Sequence, residues 1–478
     1  MRNKDATAKV RQALHAAALP LAHSSTPTQA KCLGMSMHIP SPLPEPMPLD
    51  RAQGDITGLI IPAHGAALQE DGAEFLTRAF HAFGSLPADN AVTAFALQPC
   101  PGGSTGAKFF LNVTYAKPDP ALHNALFAKF SRDFTDPRRD HPGRYEMAAE
   151  VPFMALARAA DFPIRTAAPY FADYHMASGT GLVITERVGF GEGAIEPHRA
   201  KCLDFATMAD PLLYYRATVT ALAQLCGAHK AGCIDDSAFP FDPIAGSADP
   251  IRYDAAQLAA ELAYVRAFVE RCPQHFAPEL REPAFLAAFC AQAEAIRANE
   301  VKIRVWLIHD PDLRALCHWN AHIDNAFFWR EGTGFGREGA GLQCGFIDWG
   351  RVGQITLGSA LWGALSAAHH DIWDEHLDEL LALFVAEYAA AGGPSVSVAA
   401  LEEHLIVHIA TMGVARVLAF PEIIAFRCPT VAELTGPHDP AILGIESARN
   451  CLHVFTVFLK LWHTRGLGRR SAQVLARQ

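Results

Sequence analysis

Apolar residues at Phe75, Leu76, Ala79, Phe80 and Phe83 recur at the spacing of one helical face and predict a helix over residues 70–86. The runs at residues 91–97, 108–116 and 125–131 are short, apolar and rich in aromatic and β-branched side chains, so they predict strands. Between them lie PCPGGSTG (residues 99–106) and KPDPALHN (residues 117–124), whose Gly, Pro, Asp and Asn are turn residues. A helical pattern over residues 144–160 and a strand hairpin over residues 169–188 follow. Beyond residue 200 helical periodicity dominates, as at residues 211–232, 374–393 and 398–420, and the uncharged run 352–370 reads as a buried helix. The pattern predicts an α+β fold in which a small sheet-containing half precedes a larger helical half. No repeat with a period of roughly 20–50 residues is present, which excludes a solenoid.

Ahead of this body, residues 39–48 contain five prolines and cannot form helix or central strand. They predict a loose arm with a Pro-rich linker over residues 1–54. Arg2, Lys4, Lys9 and Arg11 open that arm, which reads as a disordered leader, with a transit peptide as the alternative. The chain is 478 residues long, half apolar, with a formal net charge of −10, so no basic footprint for a nucleic acid is expected. Its 11 cysteines are scattered without a Cys-x-x-Cys pair, which predicts reduced thiols in a cytoplasmic protein rather than zinc ligands or a disulfide frame. Residues 352–370 carry too many polar groups for a membrane span, so no membrane partner is expected, and no protein partner is legible.

Phosphoryl transfer needs a cradle over phosphates, a cation on them, oxygen ligands for magnesium and a group that orients the acceptor hydroxyl. Gly102, Gly103, Ser104, Thr105 and Gly106 lie between two predicted strands and can present backbone N–H groups and hydroxyls to anionic oxygens; the plainer reading is a Gly-rich hairpin turn. Lys129 stands inside an apolar strand, and Glu150 follows it in the next predicted helix. Together they have the order of a strand-lysine and helix-glutamate pair, for which Glu146, one turn earlier, competes. In HWNAHIDN, His318 opens the run, and position 320 stands five residues before Asn325, the spacing of a catalytic base and a magnesium-binding amide. After a further strand and a Gly-rich turn, GFIDWG delivers Asp348 at a strand end, where a carboxylate can bridge magnesium to phosphates.

These motifs resemble the aminoglycoside phosphotransferase and choline-kinase-like branch of the protein-kinase-like superfamily, with features of its ecdysteroid-kinase-like group. The branch typically reads His-Gly-Asp-x-His-x-x-Asn followed by Ile-Asp-Trp; His318, His322, Asn325 and residues 347–349 match. The resemblance runs from about residue 55 to the last helix. It implies a two-lobed protein-kinase-like fold, with a five-stranded N-lobe at residues 55–190 and a helical C-lobe at residues 191–478. It also implies ATP and magnesium as cofactors, an adenine-holding backbone at Glu186 to Val188, metal ligation by Asn325 and Asp348, and a small-molecule hydroxyl as acceptor.

Two positions depart from that pattern: Trp319 replaces the glycine and Asn320 the catalytic aspartate. An amide accepts a hydrogen bond from a hydroxyl but does not take its proton, and a general base contributes ~10²–10⁴ in rate. Asp324 can supply a carboxylate in its place, or simply cap the loop. The sequence therefore carries two readings. One is a small-molecule kinase with an atypical loop; the other is a nucleotide-binding pseudokinase or scaffold. A metal hydrolase built on His318 and His322 is a third reading, opposed by the strand-like run that follows them.

Overall fold

A computed structural model describes residues 50–103, 105–330 and 341–477. The N-terminal arm up to residue 49, Ser104 of the glycine loop and the Gly-rich turn at residues 331–340 lie outside the described residues.

A short hairpin, β1 (Arg51–Gln53) and β2 (Ile60–Pro62), leads into helix α1 (Gly65–Phe83). This helix starts earlier than residue 70, and Gly72, at φ 70°, kinks it. A non-glycine side chain is strained in that backbone region, which is why the kink falls at this glycine. Five antiparallel strands follow: β3 (Val92–Pro99), β4 (Lys108–Tyr115), β5 (Ala125–Phe130), β6 (Pro169–His175) and β7 (Thr180–Glu186), in the order β3-β4-β5-β7-β6. Between β5 and β6, the expected helix of residues 144–160 divides into a 3-10 turn, Pro142–Glu146, and helix α2 (Met147–Leu156). Phe75, Leu76 and Phe80 of α1 bury against Leu111, Leu126, Phe130, Phe171 and Leu182 of the sheet in one apolar core.

A second, larger core belongs to the helical half and also takes up Met147, Val151, Phe153 and Met154 of α2, so α2 packs toward the helical half. Its spine is α3 (Pro211–Lys230), started by Asp210 accepting from the Leu213 N–H at 3.4 Å and by Pro211 at the first turn. Against it stand β8 (Arg314–Cys317), β9 (Ala326–Arg330), β10 (Leu342–Phe346) and β11 (Gly353–Thr356), which pair as two ribbons, β8 with β11 and β9 with β10. The run at residues 352–370 is therefore not one helix. Its first part pairs with β8 as β11, and helix α4 (Leu357–Leu365) begins where the Thr356 hydroxyl accepts from the Ser359 N–H at 3.2 Å. Likewise residues 374–393 fall into α5 (His370–Glu375) and α6 (Leu377–Ala390), and residues 398–420 into α7 (Val398–Arg416), a 3-10 turn and α8 (Phe420–Arg427). The stretch Val398–Arg427 is long and apolar enough to cross a membrane, and half of its most apolar window is buried in this core. Helix α9 (Glu446–Thr464) closes the cleft side of the helical half.

The described chain thus has two parts, a sheet-centred lobe and a helical lobe, in an α+β arrangement. Two contacts place the motif loops between them. Phe153 of α2 stacks on Trp349 with centroids 3.9 Å apart, and the Ile347 N–H donates to the Asn325 carbonyl at 2.9 Å. Gly363 of α4 faces the loop after β8, where an added Cβ would lie 2.0 Å from the Trp319 carbonyl oxygen; only glycine allows the helix to support the loop that closely.

Candidate active site

Lys129 lies on β5 with its side chain turned toward α2 and the loop after β10. Its Nζ donates to Glu150 Oε2 at 2.8 Å and to Asp348 Oδ1 at 2.5 Å. The pairing left open in the sequence is decided by this contact in favour of Glu150. Burial works against the charged ammonium, but Asp348 and Glu150 outweigh it and raise the Lys129 pKa above its ordinary value. Reciprocally, the Lys129 charge holds the Asp348 carboxyl well below the usual range. Glu146 takes no part in that pair. Burial pushes its carboxyl up to about 7; the Arg351 charge opposes the rise and the Asp348 charge adds to it.

Asp348 sits in the left-handed backbone region at φ 62°, one of the few non-glycine residues there, and Asp tolerates that region better than most. Just after it, Trp319 Nε1 donates to the Gly350 carbonyl at 2.6 Å, while the Arg351 guanidinium lies 4.3 Å from the Trp319 ring centroid. Arg351 is held in turn by Asp249, which also binds Arg416 of α7, at 3.1 and 2.8 Å. The tryptophan that replaces the expected glycine thus fastens the loop after β8 to the loop after β10.

His318 Nδ1 accepts from the Asn320 N–H at 3.1 Å, so its proton is on Nε2, which donates to the Ile347 carbonyl at 3.0 Å. Burial lowers its pKa to about 4, so the ring is neutral at physiological pH and orients backbone. Asn325 Nδ2 donates to the Asn320 carbonyl at 2.9 Å, and its amide oxygen has no partner among the described residues. Asn320, Asp324, Asn325 and Asp348 line one cavity of about 2120 Å³ between the lobes, together with Gly102, Gly103 and Lys108. The Asn320 side chain makes no hydrogen bond among the described residues, whereas Asp324 is engaged: Lys201 Nζ lies 3.0 Å from its Oδ2. Residues 318–322 are loop and not helix, so His318 and His322 do not share the helical face on which a hydrolase motif would set them.

The glycine loop is bent through Gly102 (φ 103°), Gly103 (φ 79°) and Gly106 (φ 64°), a backbone path closed to side chains with a Cβ. Thr105 Oγ1 lies 3.5 Å from His141 Nε2, so its hydroxyl has a partner within the protein. In the segment expected to hold adenine, the backbone groups have partners within the protein. The Glu186 N–H donates to the Ala168 carbonyl at 2.7 Å and its own carbonyl accepts from Thr185 Oγ1 at 3.0 Å. Neither Glu186 nor Val188 lines the cavity, and the Val188 carbonyl accepts from the Phe190 N–H at 3.1 Å.

Lys108 and Lys201 were not singled out in the sequence. Lys108 opens the strand directly after the glycine loop, a position that a search for phosphate-binding cations would include. Lys201 lies in an irregular segment with no motif around it, and only the fold brings it to Asp324.

No family model matches the chain, and no curated protein matches it. Among solved structures it is similar to a choline/ethanolamine kinase family protein from Mesorhizobium loti, at 13% identity and TM-score 0.36 over 83% of this chain and 98% of that one. A microcompartment-associated aminopropanol kinase matches at 14% identity and TM-score 0.36, over 83% of this chain and 98% of that one. A spectinomycin phosphotransferase in complex with ADP and spectinomycin matches at 12% identity and TM-score 0.36, over 79% and 92%.

Proposed function

We propose that the protein is a phosphotransferase that moves the terminal phosphoryl group of ATP to a hydroxyl of a small molecule. The observation that supports this reading is the contact of Lys129 with both Glu150 and Asp348, beside the unpartnered amide oxygen of Asn325. The donor set suits the ion: Asn325 and Asp348 offer the hard oxygen ligands that magnesium prefers, and Lys129 offers a cation for phosphate. Magnesium, when bound, neutralises charge on the phosphates. In this reading residues 55–190 cover the nucleotide and residues 191–478 carry the loop and the acceptor.

The protein's own part is positioning. Asn320 accepts a hydrogen bond from the acceptor hydroxyl and aims its oxygen at the terminal phosphorus. The new O–P bond forms as the bond to the ADP oxygen breaks, and the hydroxyl proton leaves late, to phosphate oxygens, because an amide does not take it. His318 keeps the Asn320 backbone in place.

A second reading, a nucleotide-binding scaffold without transfer, is favoured by one observation: Asp324, the nearest alternative base, is tied to Lys201. Thermal unfolding with millimolar MgATP tests the nucleotide site common to both. Saturation at 100 Kd stabilises by about 2.7 kcal/mol, so wild type should melt several degrees higher and Asp348→Ala should not. Equal absence of a shift in both proteins would remove the nucleotide site. Transfer of phosphate to water or to a panel of alcohols then separates kinase from scaffold.

A further inference from the structure

Lys108 is the first residue of β4 and stands directly opposite Lys129 of β5. Opposed residues on paired strands share a face, so two like charges meet on the cleft side of the sheet, an arrangement that costs stability. The neighbouring acids do not divide themselves between the two. Glu150 and Asp348 both bond Lys129, whereas the Lys108 side chain makes no hydrogen bond and no ion pair among the described residues and only feels the Asp348 charge at longer range. Yet Lys108 is not turned out to water. It lines the interlobe cavity with Asn325 and Asp348, and the glycine loop lies against its tip, so that a Cβ on Gly103 would fall 2.1 Å from Lys108 Nζ.

A desolvated ammonium without an acid is expensive unless something anionic completes it. The glycine loop beside it is bent through Gly102 and Gly103, and backbone of that kind can recruit anions as well. Resting on the phosphotransferase reading, we infer that Lys108 is a second phosphate-binding cation, which engages an outer phosphate oxygen of the nucleotide while Lys129 engages another. The strand pair then presents two ammonium groups side by side to the polyphosphate.

The test compares wild type, Lys108→Met, Lys108→Arg and Lys129→Met by calorimetric titration with MgATP and, separately, AMP, which lacks the outer phosphates. Lys108→Met should weaken MgATP ~10- to 100-fold, the worth of one charge-assisted hydrogen bond, and leave AMP within about twofold. Lys108→Arg should retain most of the MgATP affinity. The Tm of unliganded Lys108→Met should be equal to or above wild type, because two like charges no longer face each other across the strands. If Lys108 serves only as a counter-charge for Asp348, the unliganded Tm falls and the MgATP-to-AMP affinity ratio stays as in wild type; that result, or failure of Lys108→Met to fold, overturns the inference. If wild type binds MgATP and Lys129→Met loses it while Lys108→Met binds equally well, only this inference fails. If wild type binds no MgATP at all, the nucleotide reading fails with it.

Discussion

Asn320 has an uncommitted side chain in the cleft, at the position where the resemblance places a carboxylate. In a largely dissociative transfer, the hydroxyl is deprotonated late, so orientation carries more of the rate than proton abstraction does. A restored carboxylate adds a general base to that orientation, and Asn320→Asp should raise any measurable phosphate transfer, with ~10²–10⁴ as the ceiling and MgATP binding unchanged. A variant that binds MgATP normally and gains nothing would contradict the placement of Asn320 against the acceptor. Asp324→Ala is a poor substitute for this test, since it also releases Lys201. At this scale the site was legible in part. Lys129, Glu150 and Asp348 stand in motif order in the sequence and meet in the fold. The hydrogen bond of the Glu186 N–H to Ala168 was not legible, because only the register of the sheet edge decides where that group points.

Elements were legible where the period is unbroken and illegible where tertiary pairing overrides it. The strands β3, β4 and β5 begin and end within two residues of the apolar runs that predict them. By contrast, residues 353–356 have the composition of the helix that follows them, and pairing with β8 makes them a strand. Helix α7 shows a further property that periodicity does not reveal. His404 and His408 lie one turn apart on it and both are buried. Burial lowers each to about 4, against the pull of Asp310 and Glu403 on His404 and of Asp249 on His408. In the unfolded chain these groups take a proton near pH 6.5, and in the folded chain only near pH 4. Between those values the unfolded state binds more protons, so stability is complete above about pH 6.5 and falls as pH drops toward 4. Each histidine contributes up to about 3 kcal/mol to that loss. Melting curves at pH 7.5, 6 and 5 should therefore show a falling Tm, and His408→Gln should flatten the decline. A Tm independent of pH across that range would show that the two rings are hydrated.

For the whole molecule, the division into a sheet lobe and a helical lobe follows from composition and period alone. What joins the lobes does not, because Lys129 and Asp348 lie 219 positions apart in the chain. That junction bears on the order in which ligands arrive. In the free protein the charge of Asp348 is answered by Lys129, so a lone divalent cation meets a carboxylate that is already neutralised. In the proposed function a polyphosphate would remove that obstacle, drawing the ammonium away and bringing its own metal. Nucleotide and cation should therefore enter together as one complex, and the cation should leave no later than the spent nucleotide. Titration of MgCl₂ into nucleotide-free protein should give no saturable heat at millimolar concentration, while Lys129→Met, which empties the contact, should gain a weak site. A wild-type protein that takes up magnesium tightly before any nucleotide is added would mean that the Lys129 contact yields to the ion alone, and that loading follows the opposite sequence.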